Sequence, residues 1–426
     1  MLIEIMLTVM DNMNKGIMWF VCKDAAPLSE SGIFFRTLKQ AQYFQNKGYD
    51  VKIICSNWVH NTVICHKTVN GWGSEVHDGV EYVFVDSLYY GKSNVKRLVS
   101  YVLFARSIFK LLKVMAKPDV VVHTSRIPFD YQVYGFAKKC KAKYIMDVSD
   151  LWPWELEHGG ILGKNNPLLR FFYGIEKKLY SKADHVVFSI EGGPDYVCAN
   201  GWDKQGHKGP IDLNKMHYVN TGLDYKEFME RRDKYALNDQ DLCDPDAFKV
   251  VYLGSIRPAN DVRQLVEAAK CLKDNGQIKI LIYGNGPERE PLEKLVESEH
   301  LTNVLFKDNW VKPEYVPFIL SHASLNLLNY MKGWAPYGGS MNKMFMAMAS
   351  GKPILCNAGM GYSPIRKYDI GIDQYFATSQ EYAEAIASFA GLSQEEYQAL
   401  CERCKAAAAD FNTFDLVEQF EKYCDL

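Results

Sequence analysis

Short apolar runs that do not alternate with polar residues recur along this chain, each followed by a stretch with helical spacing. No other feature limits the fold as strongly. In the first half "GIMWFVCK" precedes "RTLKQAQYFQNKG", where Leu38, Ala41 and Phe44 share one face and Gly48 marks the stop, and "YDVKIICS" follows. "PDVVVHTS", "KYIMDVSD" and "DHVVFSIE" read as further strands, with helical patterns through "YQVYGFAKKC" and "LLRFFYGIEKKLYS" between them. A strand that is apolar on both faces must be covered on both, and helices joining parallel strands supply that cover. Residues 16–230 are therefore expected to form one doubly wound, Rossmann-like domain.

Residues 230–247, "ERRDKYALNDQDLCDPDA", are polar and aperiodic, as a connector would be. The rhythm then restarts: "FKVVYLGS", a helix from Asp261 to Asp274, "IKILIYGNG", a helix from Pro287 to Glu299, "NVLFKDNW", a helix from Pro313 to Ala323, and "SLNLLNY". A second Rossmann-like domain over 248–410 is expected, then a C-terminal segment 411–426 whose "FDLVEQFEKYCDL" is an amphipathic helix suited to pack back on the first domain. Ligands of open α/β sheets bind at the carboxyl ends of the strands, so two such domains imply a binding cleft where they face each other.

Charge and cysteine usage narrow the function classes. A chain of 426 residues has ample material for two cores, and its formal net charge of −2 gives no reason to expect nucleic acid as a partner. The eleven cysteines lack the spacing of a zinc site or a disulfide framework and read as reduced thiols of a cytosolic protein. Cys401 and Cys404 form a CxxC inside a helical pattern with no βαβ context, where packing is the expected role. No run of 18 apolar residues spans a membrane, and "MLIEIMLTVMDNMNKG" lacks the marks of a cleaved leader and reads as a loose extension.

The candidate chemistry gathers in the turns after the strands. "GSIRPAND" supplies Gly254, Ser255 and Arg257, and "GNGPE" supplies Gly284, Asn285, Gly286 and Glu288. In "YGGSMNKMFMAMASGKPIL", Gly338, Gly339 and Ser340 allow close backbone approach and an N-cap, and Lys343 falls in the first turn of a helix. A cation there opposes the helix dipole by a few tenths of a kcal/mol, roughly, unless an anion sits beside it. The alternative is a solvated lysine on a surface helix, but three turns at one sheet edge carry similar equipment, which favours a diphosphate site. In the first half, "DVSDLWPWELEHGG" places Asp147, Asp150, Glu155, Glu157 and His158 at a strand's carboxyl end. It reads either as a site that positions a hydroxyl or as a turn that Asp150 caps, with Trp152 packing below. Asp244 and Asp246 form a DxD in the connector, away from any strand end, so no metal ligands are assigned. Residues 92–117 hold Lys92, Lys96, Arg97, Arg106, Lys110, Lys113 and Lys117 among aromatic and aliphatic residues, and no acid. That segment is either a face for anionic lipid or a core helix with a basic outer side, and the segregation of charge favours lipid.

Five blocks, "GIFFR", "DLWP" with the following "GG", "IYGNGPEREPLEKL", "YGGSMNKMF" and "SGKPIL", resemble in order and spacing those of the retaining glycosyltransferases of family 4. The resemblance runs from Gly16 onward, is strongest to the bacterial branch that builds surface polysaccharides, and is similar to the fucosamine and other amino-sugar transferases. It implies the GT-B fold and a metal-independent hexosyl or N-acetylhexosaminyl transfer, with no cofactor, from a nucleotide-sugar, a UDP-sugar by preference. The acceptor it implies is lipid-linked or a saccharide, at the inner face of the cytoplasmic membrane. By the same resemblance Gly254, Ser255, Gly284, Asn285, Gly286 and Glu288 lie near the nucleotide, Trp310 and Val311 near the base, and Tyr337, Gly338, Gly339, Ser340, Asn342 and Lys343 at the diphosphate. Lys343 and Arg257 would stabilise the departing group, and Asp150, with Arg36, Trp152 and His158, would face the acceptor.

Two departures from the family pattern matter. The usual Arg and Lys of the first turn are replaced by Ser255 and Asn260, and the ribose-gripping acid of the "KLFEYMA" block is replaced by Met346. The alternatives are a non-catalytic GT-B subunit that binds nucleotide or a partner, and a GT-B sugar-nucleotide epimerase.

Overall fold

The computed structural model describes residues 15–30, 35–60, 62–91, 93–125, 130–333 and 335–426. Residues 1–14 of the extension, Gly32, Ile33 and Phe34 of the "GIFFR" block, and Lys92 lie outside the described residues. The chain divides into two compact units, Met1–Val219 with Val417–Leu426, and Asn220–Leu416.

In the first unit the strands are β1 (Ile17–Val21), β2 (Asp50–Ser56), β3 (Trp72–His77), β4 (Val80–Val85), β5 (Val120–Thr124), β6 (Lys143–Val148), β7 (His185–Phe188) and β8 (Met216–Tyr218). Their order is β3-β4-β2-β1-β5-β6-β7-β8. Every pairing is parallel except that of β3 with β4 at one edge. Helix α1 (Phe35–Asn46) buries Leu38, Ala41 and Phe44, and Gly48 takes φ +95° just past its end. The β3/β4 hairpin has no counterpart in the sequence reading. Its turn is Asp78-Gly79, with φ +52° and +79°, the pair of left-handed residues that a two-residue hairpin turn requires. Helix α2 (Asn94–Leu111) buries Tyr101, Phe104, Ala105 and Ile108, and helix α3 (Trp152–His158) follows β6.

The second unit carries β9 (Phe248–Leu253), β10 (Ile278–Tyr283), β11 (Val304–Phe306), β12 (Leu325–Leu328), β13 (Ile354–Cys356) and β14 (Gly371–Asp373), ordered β11-β10-β9-β12-β13-β14 and all parallel. The boundary falls before residue 230 because helix α4 (Tyr225–Lys234) belongs here, with Phe228 in one apolar cluster with Met344, Phe345 and Met348. The acidic stretch after it is a strap rather than a loose connector. Asp239 accepts from Tyr283 Oη at 2.7 Å and from Lys307 Nζ at 2.8 Å, while Asp244 of the DxD accepts from Lys279 Nζ at 2.9 Å. Leu242 between them is fully buried.

Helices α5 (Val262–Cys271), α6 (Arg289–Ser298) and α7 (Asn342–Ala349) leave the ends of β9, β10 and β12. The first two begin one or two residues later than the sequence suggests, since Asp261 is left-handed (φ +40°) and Glu288 is the cap of α6. The last helix, α8 (Thr413–Tyr423), lays Phe420 6.2 Å from Phe44 and accepts the Tyr43 hydroxyl on Glu421 at 2.6 Å.

Candidate functional site

Backbone hydrogen bonds stitch three turns of the second unit together at the carboxyl end of its sheet. Ile256 N donates to Asn285 O at 2.8 Å, Glu288 N returns to Ile256 O at 3.2 Å, and Gly284 N donates to Asp308 O at 3.0 Å. The glycines are required by contact. A Cβ on Gly284 would stand 1.9 Å from Gly254 O, and one on Gly286 would stand 2.1 Å from Ile256 O. Arg289 ties the back of these turns, donating to Gly284 O and to Lys307 O.

Lys343, second residue of α7, reaches over this floor. Its Nζ lies 5.4 Å from the centre of the Tyr252 ring, and a Cβ on Gly254 would come within 2.0 Å of it. The absence of a side chain at Gly254 thus makes the room that the ammonium occupies. No described acid forms an ion pair with Lys343, and burial alone pushes its ammonium down to about 8. The helix end beneath it is equally uncompensated, because Met341 is the N-cap with no side-chain bond and the first turn holds no acid. A half-buried cation beside a helix N-terminus that no side chain caps is arranged to receive an anion.

Ser340 is not the cap that the sequence suggests. Its hydroxyl lies 2.9 Å from both Asn220 Oδ1 and Thr221 Oγ1 and accepts from Thr221 N at 3.2 Å, so it anchors the incoming loop. Gly338 is left-handed (φ +97°), and a Cβ on Gly339 would meet Met341 Sδ at 2.3 Å. Asn342 and Arg257 are exposed, Tyr337 and Glu288 are half-buried, and Ser255 donates to Asn260 Oδ1 at 2.9 Å. Trp310 is 68% exposed, an uncovered indole just past β11, whereas Val311 packs into an apolar cluster with Leu281 and Ile319. Met346 packs against the cluster of Met344 and Phe345. Sequence reasoning passed over Asp261, a non-glycine residue in left-handed backbone at the end of the first glycine turn, whose carboxyl burial pushes up.

In the first unit the acceptor-side candidates separate. Arg36 is buried and grips buried Asp147 at the end of β6 in a two-pronged pair, Nε to Oδ2 at 3.0 Å and Nη2 to Oδ1 at 2.9 Å. That pair ties α1 to the end of β6 and sets the position of Arg36, which the resemblance expects on the acceptor side. Asp150 and Trp152 are half-buried, with Trp152 6.0 Å from Phe172. His158 is exposed and stacks on Trp154 with ring centres 4.0 Å apart. A second polar group was not read from the sequence at all. Lys23 and Asp24, just past β1, pair at 3.1 Å, and His123 at the end of β5 bonds Tyr144 Oη at 2.8 Å and faces Asp130 at 3.4 Å. Lys23, Tyr101, His123, Thr124 and Asp130 line one small cavity, and burial lowers the His123 imidazole. The signal for it was present in "CKD" and "HTS", polar residues ending apolar strands.

Against known proteins, residues 236–410 match the family model of glycosyl transferases, group 1. Two curated relatives match over part of their length. An alpha-D-kanosaminyltransferase from Streptomyces kanamyceticus is 30% identical over 100 residues, 23% of this chain and 24% of that one. A 2-deoxystreptamine N-acetyl-D-glucosaminyltransferase from Niallia circulans is 29% identical over 117 residues, 27% of this chain and 29% of that one. The chain thus spans about a quarter of the length of the curated relatives it matches. Solved structures match nearly throughout. Sucrose-phosphate synthase from Thermosynechococcus elongatus superposes with a TM-score of 0.70 at 15% identity, covering 96% of this chain and 98% of that one. Anabaena HepE, solved with UDP and glucose, gives 0.65 at 11% identity with 96% and 98% covered. WaaG, a glycosyltransferase involved in lipopolysaccharide biosynthesis, gives 0.64 at 15% identity with 95% and 98% covered. The architecture is the GT-B fold, two Rossmann-like parallel-sheet domains, and the part of the second unit from 236 to 410 is similar to the group 1 glycosyl transferases.

Proposed function

We propose that the protein is a retaining glycosyltransferase of family 4 that moves a sugar from a UDP-sugar to a lipid-linked or saccharide acceptor in cell-surface polysaccharide biosynthesis. The observation that carries this reading is Lys343, a half-buried cation with no acid beside it, set over Gly254 at an uncapped helix end. The barrier to sugar transfer is charge accumulating on the departing diphosphate, and Lys343 with the first-turn amides of α7 supplies the counter-charge there, with Arg257 as a further cation. This chain's own cations do that work in the proposal, which assigns no resident metal or cofactor to the transfer site. On the same face of the sugar, a departing phosphate oxygen takes the acceptor's proton, and Asp150, Trp152 and His158 orient the acceptor. Exposed Trp310 is suited to stack on the base.

A thermal-shift screen against UDP, GDP, ADP and CMP and their sugars tests the donor. A ligand at a hundred times its dissociation constant stabilises the native state by about 2.7 kcal/mol, so UDP is expected to shift the wild type and not Lys343→Ala. Equal shifts in the two proteins would remove Lys343 from the donor site.

The reading places the protein on the inner face of the cytoplasmic membrane, supported by α2. Its outer side exposes Val95, Leu98, Val99 and Leu103 beside Lys96, Arg106 and Lys110, the mixture of aliphatic and basic residues that suits an anionic lipid surface. No helix among the described residues is long and apolar enough to cross a membrane. Reversing Lys96, Arg97 and Lys110 to Glu should release the folded protein from anionic vesicles, and retained binding would refute the assignment. One observation favours a second reading, a GT-B subunit that binds nucleotide without turnover: Met346 stands where the family's acid would hold the ribose.

A further inference from the structure

We propose that His66, Glu75 and His77 bind a divalent cation of the zinc type at the edge of the first sheet, a site independent of the sugar-transfer reading. One ligand atom from each lies within 4.8 Å of the other two. Glu75 Oε2 is the hub, 2.8 Å from His77 Nε2 and 3.5 Å from His66 Nδ1. In a tetrahedral site with bonds of about 2.0–2.1 Å, ligand atoms stand about 3.3 Å apart, a value that the two spacings to Glu75 bracket.

Two elements present these groups. Glu75 and His77 are two residues apart on β3 and so project from the same face of that edge strand. His66 comes from the preceding loop and is buried, its ring stacked on Phe84 at 3.7 Å between centres and 5° between planes. Its backbone N donates to Asn57 O at 2.8 Å, so the ring's position is fixed before any ligand arrives.

The orientation of that ring is the strongest argument. His66 Nε2 lies 2.9 Å from Glu30 Oε2, a carboxylate oxygen that accepts its hydrogen bond. Glu30 is itself held by a turn in which Leu28 N donates to Asp78 Oδ2 at 3.0 Å, in the β3/β4 turn. With Nε2 directed at Glu30, the Nδ1 atom of His66 faces Glu75 Oε2 across 3.5 Å, a spacing that a bound cation can bridge. The convergence of His77 Nε2 on the same carboxylate oxygen favours a metal ion, for which the three groups form a His2Glu set with room for a water in the fourth position. Glu30 then plays the part of the outer carboxylate that fixes a ligating histidine's tautomer. Such an ion would clip the edge strand to the two loops that flank it.

The sequence reading names no metal ligands because eight residues separate His66 from the "EVH" pair, in a stretch without the short motif spacing that marks a zinc site. Calorimetric titration of Zn2+ into the full chain tests the site. Wild type is expected to bind one ion that Glu75→Gln and His77→Gln weaken at least tenfold and Glu30→Gln about tenfold, and zinc should raise the melting temperature of wild type but not of His77→Gln. Both ligand positions are partly exposed, so these variants retain the fold. No saturable binding, or equal affinity in wild type and His77→Gln as zinc held by the chain's thiols would give, would overturn the proposal.

Discussion

The two units treat buried charge in opposite ways. In the first, Arg36 meets Asp147 and Lys23 meets Asp24, each pair closed within the unit and almost without solvent contact. In the second, Lys343 is pressed against Tyr252 and the bare backbone of Gly254 with no described acid as ion-pair partner. A charge answered by its own chain maintains architecture, whereas a charge left unanswered at a helix N-terminus stores an attraction that only an anion from outside can satisfy.

Breaking the closed pair should produce the largest effect. Arg36→Ala leaves Asp147 buried and uncompensated, which is expected to cost about 3–5 kcal/mol of stability, read as a fall in the denaturant midpoint. A loss within experimental noise would mean that the pair is not structural. Lys343→Ala should behave in the contrary manner. Fold stability holds or rises, because an unfavourable half-buried cation is removed, while turnover with a UDP-sugar falls by a factor of about a hundred or more, the scale of one transition-state donor. Unchanged turnover would end the contrast between the two charges.

A smaller effect concerns the sugar of the nucleotide. With Met346 packed among apolar side chains, the acid that would accept from both ribose hydroxyls is absent from its family position. Hydrogen bonds to a charged acceptor are worth about 1.5–3 kcal/mol each, so their absence predicts that 2′-deoxy-UDP binds within tenfold of UDP by calorimetry. A preference for the ribo form of tenfold or more would point to another acceptor, for which half-buried Asp261 is the first residue to mutate.

The same contrast explains what could be read in advance. Unalternating strands such as "KVVYL" and "VVVHT" announce a covered parallel sheet because periodicity is a local property, and Lys343 was visible because a cation in a helix's first turn breaks a local rule. The partner of Arg36 lies 111 residues away, so its commitment to Asp147 leaves no local mark. Ser340 was misread for the same reason, since Asn220 and Thr221 claim its hydroxyl from 120 and 119 positions away. The acidic connector looked like a linker because its lysine partners, Lys279 on β10 and Lys307 just past β11, come later in the chain.

Proton uptake on UDP binding tests the central claim most directly. In the unliganded protein burial holds Lys343 at about 8, below its ordinary value of 10.5, so between those values the unfolded chain binds more protons and stability rises with pH. A diphosphate beside the ammonium favours the charged form and lifts that value again. At pH 8, calorimetry in buffers of different ionisation enthalpy should therefore show wild type taking up about half a proton per UDP bound, with none taken up by Lys343→Met. Binding without proton uptake in the wild type, or the same uptake in the variant, would contradict the assignment of Lys343 as the counter-ion of the diphosphate.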